Sequence, residues 1–273
     1  MKQWMLGFVC GVAMLTPPAA LAQRVPDQTA AQTSTGEQNP PAAVGEEGNK
    51  PTRGFLSALG HNLADDVKHM PRWNSVYWLA GGGALALSIH SEDNRINRRL
   101  VNSSTDRLWV PGHVIGSTEV IIPTALATYF VGRHIGARRA QHLGMDELEA
   151  ALLSEGFVEA IKVAARRQRP LEVDGTQSHT FSFPSGHSTI TFAAATVLQQ
   201  HLGYKAAIPT YAIASYVAMS RLHDNRHFAS DVVFGAAMGV MIGRSVTWHG
   251  RNFYASPMLL PGGAGIQLAL AQR

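Results

Sequence analysis

From Phe55 onward the apolar residues recur at the three- and four-residue spacing of a helix and almost nowhere alternate. A chain patterned this way must bury its apolar faces by packing helix on helix. The candidate helices are Phe55–Lys68, Ser75–Ser91, Ile115–Arg133, Asp146–Arg167, His187–His201, Lys205–Ser220 and Ser230–Trp248. Asp146, with Glu149 three residues on, makes a start resembling a capping box. Pro71, Pro111 and Pro184 are placed between helices, where a missing amide does little harm. Around Gly262-Gly263-Ala264-Gly265 the Pro257–Leu270 stretch has β-like ends, and a short hairpin is expected there.

The N-terminus speaks to location. Lys2 precedes an apolar run from Trp4 to Leu15, then Thr16-Pro17-Pro18 and Ala20-Leu21-Ala22, which is the pattern of a secretory signal peptide cleaved after Ala22. The mature chain is therefore expected in the periplasm or outside the cell. The one cysteine, Cys10, falls inside the signal, so the exported protein has neither disulfide nor thiolate metal site. Gln23 to Arg53 has almost no large apolar side chain and reads as a disordered leader. The domain plan is a signal peptide over 1–22, a leader over 23–53, a helical domain over 54–250 and a tail over 251–273.

With 45% hydrophobic residues in 273, that domain has material for one substantial core. A net charge of +4, with no basic stripe interleaved with aromatics, argues against a nucleic-acid partner. Arg95, Arg98 and Arg99 lie among acidic residues and asparagines and read as a solvated helix face. Ser75–Ile89, Val120–Val131 and Val232–Ile242 carry few charges, yet each run is shorter than the roughly 20 residues of a spanning helix. Glu147, Glu149, Glu155 and Glu159 would also be costly in lipid. A water-soluble bundle is the expectation, with association at the outer face of the inner membrane as the alternative.

Three blocks in the second half carry chemistry. In the first, Lys162 and Arg169 are seven apart, nearly one helix face, so an ammonium and a guanidinium fork can converge on one anion. Arg166 and Arg167 are assigned to an exposed basic face. In the second, Pro184-Ser185-Gly186-His187 opens a helix, where exposed amides, a close-approaching glycine and the Ser185 hydroxyl can cradle an anion. His187 stands at the mouth of that cradle, able to give a proton to a leaving oxygen. In the third, Arg221 ends an apolar helix, and His227 and Asp231, four apart, share a helix face. There a carboxylate can hold one imidazole nitrogen and leave the other free to attack. His223 reads as a solvent-exposed loop histidine. Zinc held by His187, His223, His227 and Asp231 is disfavoured, because three cations aimed at one place attract an anion and repel a metal.

The ordered set Lys162, Arg169, Pro170, then Pro184 to His187, then Ser220, Arg221, His227 and Asp231 resembles the signature of the type 2 phosphatidic-acid phosphatase and vanadium haloperoxidase superfamily, over about Asp146 to Gly243. The resemblance implies an all-α helical bundle of the acid phosphatase/vanadium haloperoxidase type. It also implies a phosphatase in which His227 forms a phosphohistidine, Asp231 orients it, and His187 protonates the leaving alcohol. Lys162, Arg169, Ser185, Gly186 and Arg221 hold the phosphate. No metal or other cofactor is implied, except vanadate if the chain is a haloperoxidase.

The expected activity is thus that of an exported phosphomonoesterase acting on a small phosphorylated substrate. The alternative is a membrane-associated lipid phosphatase acting on phosphatidate, phosphatidylglycerol phosphate or a polyprenyl diphosphate.

Overall fold

The structure, a computed structural model, describes residues 54–70, 72–101, 105–171, 176–247, 251–260 and 263–272. The signal peptide, the whole of the 23–53 leader and Pro71 lie outside them. The helices are α1 (Phe55–His69), α2 (Trp73–His90), α3 (Asp93–Leu100), α4 (Asp106–Ile115), α5 (Thr118–His134), α6 (Arg138–Ala165), α7 (Gly186–Leu202), α8 (Tyr204–His223) and α9 (Ala229–Val246). An antiparallel pair follows, β1 (Arg251–Leu260) and β2 (Gly263–Gln272), so the hairpin expected around Gly262-Gly263 is present and longer than its sequence signal. The body of the chain is all-α, as its periodicity requires.

All seven expected helices form, and two more appear. Helix α6 begins at Arg138, so Asp146 lies inside it; its carboxylate meets His201 Nε2 at 2.7 Å rather than capping a helix. Helix α3 is only half a solvated face: Asp93 and Asn97, one turn apart, are buried, while Arg95, Arg98 and Arg99 stay outside. Helix α4 occupies what reads as a loop, with Pro111 in its interior. Pro111 and Gly112 both oppose helix formation. Tertiary contact overrides them, with Trp109 stacked on Tyr216 of α8 at 5.4 Å and Gly112 pressed against Ser220.

Helix α7 lies against α6, α8 and α9, and α9 also packs on α2. Leu153 and Val158 of α6, Ala193 and Val197 of α7, and Met238, Met241, Ile242 and Val246 of α9 form the main buried cluster. Gly235, Gly239 and Gly243 stand one turn apart on α9, facing the α7 backbone. A Cβ on Gly235 would sit 2.7 Å from the Ser185 carbonyl and one on Gly243 2.6 Å from that of Ala193, while one on Gly239 would overlap the Thr189 carbonyl. This close approach ties the start of α7 to the start of α9, where the Ser185 amide donates to the Asp231 carbonyl at 3.1 Å.

Glu147 and Glu149 are buried inside the bundle, so neither presents charge to the surroundings. Burial pushes the Glu149 carboxyl up to about 9, against the pull of its hydrogen bond from Asn62. The objection that acids would face lipid therefore lapses for these two but stands for Glu159, which is exposed, and in part for the half-buried Glu155. Among the described residues, α9 is long and apolar enough to cross a bilayer, though 67% of it is buried within the protein; α4 and α5, bent by 46°, meet the same measure together.

Gly239→Ala is expected to destabilise the fold by about 2 kcal/mol, since a methyl there must force α7 away. Gly156→Ala, in the interior of α6 with open space around it, is expected to gain up to about 1 kcal/mol. Denaturant unfolding of the two variants checks the contrast.

Candidate active site

The first and second blocks run side by side. The Ser182 amide donates to the Arg167 carbonyl at 2.7 Å, and Gln168 and Phe181 form an isolated antiparallel bridge. The third block closes over them. Its loop is pinned by Asn97, whose Nδ2 donates to the His227 carbonyl at 3.0 Å and to Asn225 Oδ1 at 3.1 Å. Asn225 has a left-handed backbone (φ 52°), a conformation asparagine tolerates, and its side-chain amide donates to the Leu171 carbonyl.

A cavity of about 620 Å³ lies where these segments meet, lined by His113, Arg169, His187, Arg221, His223 and His227 among others. Four of the eight residues expected at the site therefore line one space: Arg169, His187, Arg221 and His227. Asp231 stands behind His227. Lys162 is turned to Glu159, with Nζ to Oε1 at 2.7 Å. Ser185 is fully buried as the N-cap of α7, its hydroxyl accepting from the Ser188 amide and hydroxyl. Gly186 is the first residue of that helix.

His227 differs from expectation in what holds it. Its Nδ1 lies 2.7 Å from the Ser182 carbonyl, and because a carbonyl only accepts, Nδ1 carries the proton and Nε2 the lone pair. Asp231 is 3.7 Å from Nδ1, too far for a hydrogen bond. Its carboxylate instead accepts from the Phe228 amide at 2.8 Å, from the Ser182 hydroxyl, and from Arg167 at 2.5 Å. Asp231 thus caps its own helix and fixes Ser182, which in turn orients the imidazole. Burial works to raise this carboxyl, but His227, Ser182 and Arg167 hold it below the usual carboxylate range. Burial also holds His227 below the ordinary imidazole range, with Asp231 opposing, which favours the neutral ring that a nucleophile requires.

Arg167 does not belong to an exposed face, although Arg166 does. It spans Asp231, Ser230 and Asp93, reaching Asp93 Oδ2 at 2.7 Å, and lies 4.2 Å from the centre of the Phe228 ring. Asp93 in turn accepts from the Ser230 amide and hydroxyl. His223 is likewise not a solvent-exposed loop residue: it ends α8, buried under Trp109 at 5.5 Å, with Nε2 3.0 Å from the Thr105 hydroxyl. Among the described residues, no three histidine, cysteine or acidic side chains converge as a metal site would require.

His187 sits one residue into α7 with its Nε2 buried and without a hydrogen-bond partner among the described residues. Burial, followed by the charges of Arg221, His113 and His227, pushes it down to about 4. Two cationic groups, a neutral imidazole and a second imidazole thus face one cavity, an arrangement suited to an anion and to proton traffic beside it.

Residues 144–254 match the family model described as the PAP2 superfamily. They form a PAP2 domain. The chain is 37% identical over 115 residues to a lipid A 1-phosphatase of Porphyromonas gingivalis, covering 41% of this chain and 24% of that protein. It is 32% identical over 100 residues to a decaprenylphosphoryl-5-phosphoribose phosphatase of Mycobacterium tuberculosis, covering 35% of this chain and 55% of the relative. The matched stretches are thus about a quarter and about half of those relatives. In fold, the chain resembles the crystal structure of a transmembrane PAP2-type phosphatidylglycerolphosphate phosphatase from Bacillus subtilis, with a TM-score of 0.53, 23% identity, and coverage of 64% of this chain and 94% of that one.

The PAP2 domain does not build its site alone. Asp93, Asn97 and His113 come from α3 and α4, ahead of the matched region, and reach Arg167, His227 and Arg221 respectively. No motif marks these three residues, nor Ser182, because each acts through a contact across the bundle. Removing Arg167 would leave the buried Asp93 and Asp231 without the guanidinium they share. Arg167→Met is expected to lower stability by about 3 kcal/mol. Arg167→Lys should recover only part of this, since one ammonium cannot replace a fork spanning two carboxylates. Chemical denaturation measures both.

Proposed function

We propose that the protein is an exported lipid phosphatase that removes phosphate from an amphiphile at a membrane face, through a phosphohistidine on His227. The observation that carries the chemistry is the shared cavity, where His227 and His187 stand with Arg169 and Arg221. His227 Nε2 attacks phosphorus while the Ser182 carbonyl keeps the proton on Nδ1. The bond to the leaving oxygen breaks as His187 delivers its proton to that oxygen. In the second step His187, now neutral, takes a proton from water. The resulting hydroxide displaces His227 from phosphorus and releases inorganic phosphate.

Arg169 and Arg221 offset charge on the equatorial oxygens. Lys162 joins them by exchanging Glu159 for phosphate, at small cost because such exposed pairs contribute about 0–1 kcal/mol. The α7 start offers the Gly186 amide to the anion, while Ser185, fully buried with its own amide on the Asp231 carbonyl, holds the turn that presents it. No metal or cofactor enters this sequence of steps.

The preference for a lipid substrate rests on α4. This helix turns His113 to the cavity and exposes Leu108, Val110, Val114 and Ile115. Beside it, Leu100, Leu108, Trp109 and Met219 line a second cavity of about 210 Å³ that shares His223 with the first. Apolar surface at the rim of a phosphate site suits a substrate that arrives from lipid. The kinds of relative found support the same choice over a soluble phosphomonoester.

In hydrolysis assays, lipid phosphates in mixed micelles are expected to exceed small sugar phosphates in kcat/KM by about tenfold or more, since burying even two methylenes contributes roughly 1.6 kcal/mol. Equal rates would return the reading to a soluble phosphomonoesterase. His227→Ala should abolish both turnover and acid-labile phosphoenzyme while leaving the helical content unchanged; retained hydrolysis would refute the nucleophile.

The pH dependence follows from His187. In the free protein its acid form is lost above about pH 4, whereas a bound phosphate anion stabilises that form and raises its pKa. The alkaline limb of kcat should therefore lie at higher pH than that of kcat/KM, and His187→Asn should erase it. Coincident limbs would contradict the assignment.

A further inference from the structure

His113 belongs to none of the three blocks and lies outside the PAP2 match, yet it touches two of the groups that the proposed chemistry uses. Its Nδ1 lies 3.0 Å from Arg221 NH1. A guanidinium only donates, so Nδ1 accepts and the ring proton is on Nε2. Its ring is stacked on that of His187, with centroids 5.2 Å apart and planes 13° from parallel. The helix that carries it has little freedom: a Cβ on Gly112 would sit 2.6 Å from the Ser220 hydroxyl oxygen, and one on Gly116 would meet Val217 and, at 3.2 Å, His187 Cδ2. Arg221 is itself held by Asp224 on its other terminal nitrogen and by Ser220 at Nε.

We propose that His113 is a positioning residue for the proton donor, with Arg221 fixing the His113 ring and that ring holding the His187 imidazole in the plane from which it protonates the leaving oxygen. The role rests on the phosphatase reading above. The neighbouring contacts explain why a histidine stands here. The position needs a flat ring to stack on an imidazole that, beyond its hydrogen bond with the His113 backbone, has no partner at Nε2 among the described residues, and an acceptor on the ring edge that meets a guanidinium. An aliphatic side chain provides neither, and asparagine provides only the acceptor.

The leaving group tests this. An aryl phosphate such as p-nitrophenyl phosphate departs with little help from an acid, whereas an alkyl phosphate depends on it. His113→Ala and His113→Asn are each expected to lower the ratio of alkyl to aryl kcat by about tenfold or more, within the range general acid catalysis contributes. His113→Phe, which keeps a ring to stack, is expected to hold that ratio within about threefold of the unsubstituted protein. Turnover of the aryl ester in each variant reports that the site has folded. An equal loss on both esters in His113→Ala would overturn the proposal, because it would place the effect on phosphate binding by Arg221. So would a His113→Phe variant as unselective as His113→Ala. If the unsubstituted protein turns over both esters, either result removes this role and leaves the phosphatase reading intact; if it turns over neither, the phosphatase reading itself fails and takes this role with it.

Discussion

Asp231 is wholly buried, and much of the site depends on how its charge is accommodated. A lone carboxylate in such a place costs several kcal/mol unless donors surround it. Here it receives the Phe228 amide, the Ser182 hydroxyl and the Arg167 guanidinium, and each donor ties down a different segment. The amide starts α9, the hydroxyl fixes the strand-like stretch before α7, and the guanidinium anchors the end of the first block. One buried charge thus brings three distant parts of the chain into a single geometry, and the His227 ring inherits its orientation from that hub through the Ser182 carbonyl.

The hub works only because α7 and α9 are close enough for the Ser185 amide to reach the Asp231 carbonyl. Glycines at three successive turns of α9 make that possible, since any side chain there would meet the α7 backbone. Packing and site geometry are therefore linked along one interface: the spacing that fills the core between α7 and α9 also sets the distance between the two histidine-bearing segments. Outside this interface, α3 and α4 complete the walls. They are short, and one contains a proline, so their helical state depends on what they touch.

Much of this was legible beforehand, for definite reasons. Helical periodicity is local, so seven of the nine described helices could be read from spacing alone. The three blocks were legible because they combine unusual residue types at short range, as with His227 and Asp231 or Ser185 to His187, and four of their residues do line one cavity. Where contacts are long-range, the sequence was silent or misleading. Arg167 and Arg166 are adjacent arginines with the same local surroundings, yet one is buried against two carboxylates and the other is exposed. Glu149 reads as the capping-box partner of Asp146, and its burial beside Asn62 is visible only when α1 meets α6.

The sequence by itself determined the helical class and singled out the three blocks with their two histidines, because periodicity and residue chemistry are properties of neighbours in the chain. Only the tertiary structure decided that the Ser182 carbonyl rather than Asp231 accepts the His227 Nδ1 hydrogen bond, that His223 is buried, and that His113 joins the site. Each of those depends on which side chains meet across helices more than one block apart, and a linear pattern does not encode the distances between them.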